Sequence, residues 1–328
     1  MIKPLVSVLV LSFNERHRLD SFKKSLEKLE GNFSLEVILA DNGSTDGTVQ
    51  WASKNGWKVS GNAGKNIGTP IYNYALAKAS GEFIFFIQND MAFEGDCLQK
   101  LLDEMHEHPK TAHACPKLLD YFDHSKVDVA GSWLSRSFYG GSIKDHSLNR
   151  AEIPFYGTGL LRASALKAAG GYIYHPDYFL YGEDVDLGLR LWASGFKVVF
   201  VPGAIVYHMG AQSEKLFKKP FLTYLVERNQ LRNLLKNLEA KNVLLLLPYA
   251  LSMRIFSIAK DILHFDFARA LCRVRAIGWI ALNFPAVLRE RKQNKALRKV
   301  PDSSFMHIFT EKYFLKVVSN VFYRRALK

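Results

Sequence analysis

Only three of the 328 residues are cysteine (Cys97, Cys115 and Cys272), and they stand far apart. They make neither a disulfide framework nor a zinc knuckle, and a reducing compartment is their natural setting. No G-x-G-x-x-G follows the first apolar strand and no G-x-x-x-x-G-K-[ST] occurs anywhere. That lowers the case for dinucleotide binding and for a P-loop. Met1-Ile2-Lys3-Pro4 runs straight into a short apolar strand. The strand is too short for the core of a secretory signal, and no small-residue cleavage site follows it. No run reaches the ~20 apolar residues of a spanning helix. With 48% hydrophobic and 23% charged residues, the composition is that of a globular protein and excludes disorder and collagen-like repeats.

What is present is a charge asymmetry. Residues 1–208 hold 21 Lys+Arg and 23 Asp+Glu, net −2, whereas residues 209–328 hold 23 and 8, net +15. The length suggests about two domains, and the composition changes near residue 210, giving 1–210 and a basic, amphipathic 211–328. A basic half implies an anionic partner. Two short apolar runs lie inside it, 242–253 between Lys241 and Arg254, and 276–288 between Arg275 and Arg289. Each contains a proline and is too short to span. Basic flanks around short apolar runs suit helices lying in an anionic membrane interface; the plainer alternative is the core of a small helical domain. Nucleic acid is not expected, because no reading motif is present and the cations interleave with Leu, Ile, Phe and Trp.

Along residues 1–210, strands alternate with helices. Residues 5–11, 35–40 and 82–87 are short, apolar runs that read as buried strands. Helical patterns cover 18–30, 68–80, 96–108, 164–169 and 184–194, the last ended by Gly195. Strands are expected at 58–60, 196–201 and 204–208. Residues 120–152, rich in Gly, Ser and aromatics, are expected to be irregular and functional. The alternation predicts a doubly wound, mostly parallel α/β sheet flanked by helices.

In such sheets ligands bind beyond the carboxyl ends of the strands. Three polar clusters stand at those ends: Ser12-Phe13-Asn14-Glu15, Asp41-Asn42, and Gln88-Asn89-Asp90. One alone would be ordinary turn chemistry; three in register converge on one crevice. The glycine-rich Gly61–Gly68 precedes a helix and offers amides to an anion. Glu183, Asp184 and Asp186 crowd three carboxylates into four residues after an aromatic run, Tyr178-Phe179-Leu180-Tyr181. A helix N-terminus accommodates one or two of them through its dipole. The aromatic neighbours desolvate the remainder, as a general base requires.

Taken together, these segments resemble the family 2 glycosyltransferases of GT-A fold, in their rhamnosyltransferase-like branch. The resemblance is carried by residues 6–14, Asp41 through Thr48, Asn66-Ile67-Gly68 with Asn73, Gly81 through Asp90, Gly157 through Leu160, Gly170-Gly171-Tyr172, Tyr181 through Leu187, and Pro202 through His208. It implies an inverting transferase that moves a sugar from a nucleotide-sugar donor, dTDP-rhamnose or a UDP-sugar, to a lipid-linked or cell-surface glycan acceptor at the inner membrane face. Asp41 would bind the nucleobase, with Ser12, Asn14 and Glu15 beside it. Asn66, Asn89 and Asp90 would contact the donor. Asp90, in the place of the last aspartate of the family's D-x-D-type motif, would hold a divalent metal, Mn²⁺ or Mg²⁺, with His208 as a further ligand. This sequence departs from the two-aspartate form, having Gln88 and Asn89 ahead of Asp90. That motivates an alternative, a non-catalytic membrane-associated assembly protein with a degenerate transferase domain. Asp184 matches the general base, Glu183 would orient Asp184 or the acceptor, and Arg228 would reach the donor diphosphate. No Q-x-x-R-W motif of processive synthases is present.

Overall fold

The computed structural model describes residues 3–61, 64–146, 148–210 and 217–314. Asn62 and Ala63 of the glycine-rich turn, and residues 211–216 beside the change of composition, lie outside them. The chain opens with β1 (Leu5–Ser12), α1 (Leu19–Leu26), β2 (Ser34–Asp41), α2 (Thr48–Lys54), β3 (Lys58–Gly61), α3 (Tyr72–Leu76) and β4 (Phe83–Gln88). It continues through β5 (Met91–Phe93), α4 (Cys97–Glu107), β6 (Thr111–Asp120), β7 (Val127–Val129), β8 (Ser132–Leu134), β9 (Gly140–Ser142), β10 (Ala151–Glu152), β11 (Gly159–Arg162) and α5 (Ala163–Ala168). Then follow α6 (Glu183–Ala193), β12 (Lys197–His208), α7 (Lys219–Asn237), α8 (Ala240–Leu263), α9 (Phe267–Leu282) and α10 (Phe284–Leu297).

The main sheet runs β10-β12-β6-β11-β4-β1-β2-β3, with β5 on β12 and β7 on β6. Neighbours among β1 to β4 are parallel, as are β6 and β12; β11 is antiparallel between β4 and β6. Val6, Val8, Leu9 and Val10 of β1 are fully buried, because the sheet is covered on both faces and the strand has no solvent side. The register brings Ser12 opposite Asp41, Asp41 opposite Gly61, and Leu11 opposite Gln88. Three strand ends therefore meet at one edge.

The structure departs from the sequence expectation in four places. The helix expected over 68–80 is a 3-10 turn, Thr69–Ile71, followed by the short α3. Gly68, at φ +74, and Pro70 break the first turn. The stretch 120–152 contains β7 to β10. The strands expected at 196–201 and 204–208 are one strand, β12, with a register shift between Val201 and Ile205 at Pro202-Gly203. The apolar run at 242–253, expected to be too short to span, belongs to the 24-residue α8, which is long and apolar enough to cross a bilayer. Pro248 lies inside it, and both Pro248 and Leu244, whose carbonyl loses its helical partner there, are exposed.

Candidate active site

A cleft of about 430 Å³ opens where the strand ends meet. Asn14, Glu15, Asn66, Thr69, Asn89 and Asp90 give it polar atoms, and Phe13, Phe179 and Phe217 give it apolar walls. The other sequence-derived candidates are tied to this lining. Ser12 Oγ accepts from Asn89 Nδ2 at 3.0 Å. Asn14, at φ +53, accepts from Thr45 N at 2.8 Å and so joins the first strand end to the second. Asn42 clamps the turn at 66–68, donating to Gly68 O at 3.0 Å and accepting from Ile67 N at 3.1 Å.

Two carboxylates at these strand ends keep an unused oxygen; Asp90 lines the cleft, whereas Asp41 stands behind the lining residue Asn42. Asp41 Oδ2 accepts from the amides of Gly43 and Ser44 at 2.9 and 3.0 Å, while its buried Oδ1 has no partner among the described residues. Asp90 is 6% exposed, and its Oδ1 is likewise buried and unpartnered. A buried acceptor left unpaired is costly, so each marks a place for an external donor or cation. Asp90 Oδ2 lies 3.5 Å from His208 Nε2. His208 Nδ1 lies 2.6 Å from Asp128 Oδ2, a residue that sequence reasoning missed. Burial disfavours charge on His208, but the hydrogen bonds to Asp128 and Asp90 outweigh it and raise its pKa to about 9. A carboxylate on one imidazole nitrogen that aims the other at an oxygen ligand is the arrangement found around bound metals. Asp90 thus fits the expected divalent cation, and His208, charged and paired to Asp90 here, would join it as a ligand on giving up its Nε2 proton. Burial raises the pKa of Glu15 and the nearby Arg18 partly offsets it.

A second acidic group, His175, Asp177 and Glu290, also brings ligand atoms within 4.8 Å of one another. It is already filled by a cation of the protein: Arg232 Nη2 stands 3.0 Å from Asp177 and 2.5 Å from Glu290. We assign it a structural role.

Glu183 and Asp184 open α6, behind Gly182 at φ +80. Glu183 is buried, and its Oε1 accepts from the cleft-lining Thr69 Oγ1 at 3.0 Å. Burial, and then the neighbouring charge of Asp184, raise its pKa to about 8. Burial also raises Asp184, to about 6, with the Val185 amide at 2.8 Å holding it down. Asp186 is pulled the other way. It is buried against Arg190 Nε at 2.9 Å and Lys236 Nζ at 2.9 Å, whose charges outweigh desolvation and lower its pKa. The three crowded carboxylates are therefore separated in kind: one holds its proton, one titrates near neutrality, and one stays ionised as a strut. Arg228 is set apart from the cleft lining, over the rings of Tyr224 at 5.4 Å and Trp279 at 5.1 Å.

Residues 7–170 match the model of "Glycosyl transferase family 2". The chain is 29% identical over 244 residues to the N-acetylglucosaminyl-diphospho-decaprenol L-rhamnosyltransferase of Mycobacterium tuberculosis, covering 64% of this chain and 77% of that one. Among solved structures, S. aureus TarS 1-349 in complex with UDP-GlcNAc superposes with a TM-score of 0.60 at 20% identity, over 89% of this chain and 83% of that one. A longer TarS chain is covered over only 42% of its length. The mannosyltransferase PcManGT from Pyrobaculum calidifontis, in complex with GDP-Man and Mn2+, gives a TM-score of 0.52 at 15% identity, over 90% and 85%. The architecture is the GT-A fold.

Proposed function

The chain belongs to glycosyltransferase family 2, and from that premise we propose that it is an inverting glycosyltransferase using a nucleoside-diphosphate sugar whose base carries an imide N–H. The observation that carries the reading is the pair of buried carboxylate oxygens left without a partner among the described residues, Asp41 Oδ1 and Asp90 Oδ1, at neighbouring strand ends, with Asp90 in the cleft lining. Asp41 Oδ1 can accept from the N3–H of uracil or thymine and is repelled by the bare N3 of cytosine. Within this reading the donor is dTDP-rhamnose or a UDP-sugar, in keeping with the rhamnosyltransferase relative and the UDP-GlcNAc-bound structure. The acceptor in this reading is a lipid-linked glycan, in keeping with the relative named for a diphospho-decaprenol substrate, and the enzyme works at the inner face of a membrane.

Asp184 takes the proton of the acceptor hydroxyl. Its oxygen forms the new bond at the anomeric carbon as the bond to the diphosphate oxygen breaks on the opposite face, inverting that centre. A pKa near 6 leaves the base mostly ionised at neutral pH while keeping it strong enough to accept the proton. Glu183, protonated, holds Thr69 at the cleft wall. Asp90 and His208 would hold a divalent cation, which supplies positive charge to the departing diphosphate. Ser12 fixes Asn89, and the Asn42 clamp fixes the 66–68 turn, so the donor site is formed before the donor arrives.

Calorimetric titration of dTDP, UDP, GDP and CMP, with and without Mn²⁺, tests the proposal. Metal-dependent binding of dTDP or UDP, absent for CMP and lost in Asp90→Ala, is expected. No binding of any nucleotide under either condition would overturn it and favour the assembly protein with a degenerate domain.

A further inference from the structure

Among the described residues, 17 large hydrophobic side chains are exposed, and 14 of them lie between Leu244 and Leu288. They are ordered along the helices. On α8 the exposed positions include Leu245, Tyr249, Phe256 and Leu263, and on α9 Phe267, Leu271 and Val274, all at helical spacing. Each helix therefore shows one continuous apolar stripe outward, while Ala250 and Ala276 of the same helices are fully buried inward. An apolar surface of this extent is not left to water by an isolated soluble chain.

The charge around the stripes has one sign. Lys241, Arg275, Arg289, Lys292, Lys295 and Lys299 are exposed. The acids of the same stretch are withdrawn or neutralised. Asp261 and Glu290 are buried, with Asp261 paired to Arg273 and Glu290 to Arg232, and Asp266 caps α9 beside Arg269. Apolar stripes rimmed by cations alone complement an anionic bilayer interface.

Although α8 is long and apolar enough to cross a bilayer, it is held by the protein at its midpoint. Arg254 is 1% exposed, stands 3.0 Å from Glu227 of α7, and donates to the carbonyl of Ser137, between β8 and β9, at 2.9 Å. Asp261, further along, is salt-bridged to Arg273 of α9 at 2.7 Å. A spanning helix would have to tear these buried ion pairs away from their partners. Only the outer face is free.

We propose that α8, α9 and the start of α10 seat the enzyme on an anionic phospholipid surface, with the exposed stripes in the interface and α8 not crossing it. The biological use of this surface rests on the lipid-linked acceptor of the previous section; the surface itself does not. Flotation of the full chain with vesicles is the test. It should rise with vesicles containing phosphatidylglycerol, rise much less with pure phosphatidylcholine, and be released by an alkaline carbonate wash. Leu245→Ser/Phe256→Ser, both at exposed positions, should weaken partitioning roughly ten-fold or more. Lys292→Gln/Lys295→Gln should weaken it by about ten-fold on anionic vesicles only. Circular dichroism and melting of each variant should match the parent.

A chain that does not float overturns the proposal, and so does one that resists the carbonate wash, which would make α8 a true span. So too does a stable dimer in sedimentation that the Leu245/Phe256 variant dissolves, since a second copy would then cover the stripes. UDP and dTDP binding by the same preparations is read in parallel. Flotation without nucleotide binding would remove the transferase reading alone, and nucleotide binding without flotation would remove the membrane surface alone.

Discussion

Glu183→Gln separates the two carboxyls that open α6. In the folded chain burial and Asp184 hold the pKa of Glu183 at about 8, whereas its ordinary value is 4.5. Between those values the unfolded chain has released the proton and the native chain has kept it. Each pH unit in that window therefore favours unfolding by up to about 1.4 kcal/mol through this one group. Glutamine resembles the protonated acid in shape and hydrogen bonding and does not titrate. The variant should gain on the parent by about 2 to 3 kcal/mol between pH 6 and pH 8, read from urea unfolding at the two pH values. Its kcat at pH 7 should stay within several-fold of the parent, because the parent's Glu183 is already neutral there. Asp184→Asn should lose about 10² to 10⁴ in kcat with donor binding intact. Parent kcat should rise with pH through about 6 as Asp184 ionises. A stability difference that does not grow with pH, or a Glu183→Gln enzyme as dead as Asp184→Asn, would refute the division of labour between them.

Asp128→Asn removes the charge that aims His208 at Asp90 and should weaken Mn²⁺ binding in the presence of UDP about 10- to 100-fold, measured by electron paramagnetic resonance; unchanged affinity would show that His208 is held by other contacts. Gly68→Ala places a methyl group 1.9 Å from the Phe179 carbonyl at a backbone φ of +74, so the wall of the cleft must shift. It should cost about 2 to 4 kcal/mol in urea unfolding and weaken nucleotide binding; a variant as stable as the parent would mean that the 178–182 loop yields freely.

The parts of the fold that sequence reasoning reached are those specified locally. β1, β2 and β4 are short apolar runs, each followed by a polar cluster, and the meeting of Ser12, Asp41 and Asn89 needed only the parallel register of those strands. α6 announced itself through its acidic first turn and terminal glycine. Asp128 was out of reach because its partner is 80 residues away and β7 carries no pattern of its own. Thr69 was hidden inside an expected helix that Gly68 and Pro70 interrupt. α8 reads in sequence only as the short run 242–253, because Arg254 ends that run, and the burial of Arg254 against Glu227 depends on α7. Arg228 is expected at the diphosphate from its position in the chain; its contact with Tyr224 lies within α7, but the one with Trp279 depends on α9 folding back onto α7, which no local signal reports.

Asn229, Asn233 and Asn237 lie one helical turn apart on α7. In order they hold the carbonyls of Leu180 and Tyr181, the carbonyl of Gly182, and the carboxylate of Asp186. The basic half is thus the scaffold on which the turn leading into α6 is built. A chimera joined at the change of composition, with the first 210 residues of this chain and the tail of a relative, would keep Asp41, Asp90, Glu183, Asp184 and Asp186 and still misplace Asp184. The same ladder makes α7 a spacer of fixed length between that turn and the apolar helices. On a bilayer it would set the height at which an acceptor hydroxyl must present itself, so that acceptors are sorted by the reach of their head groups as well as by their chemistry.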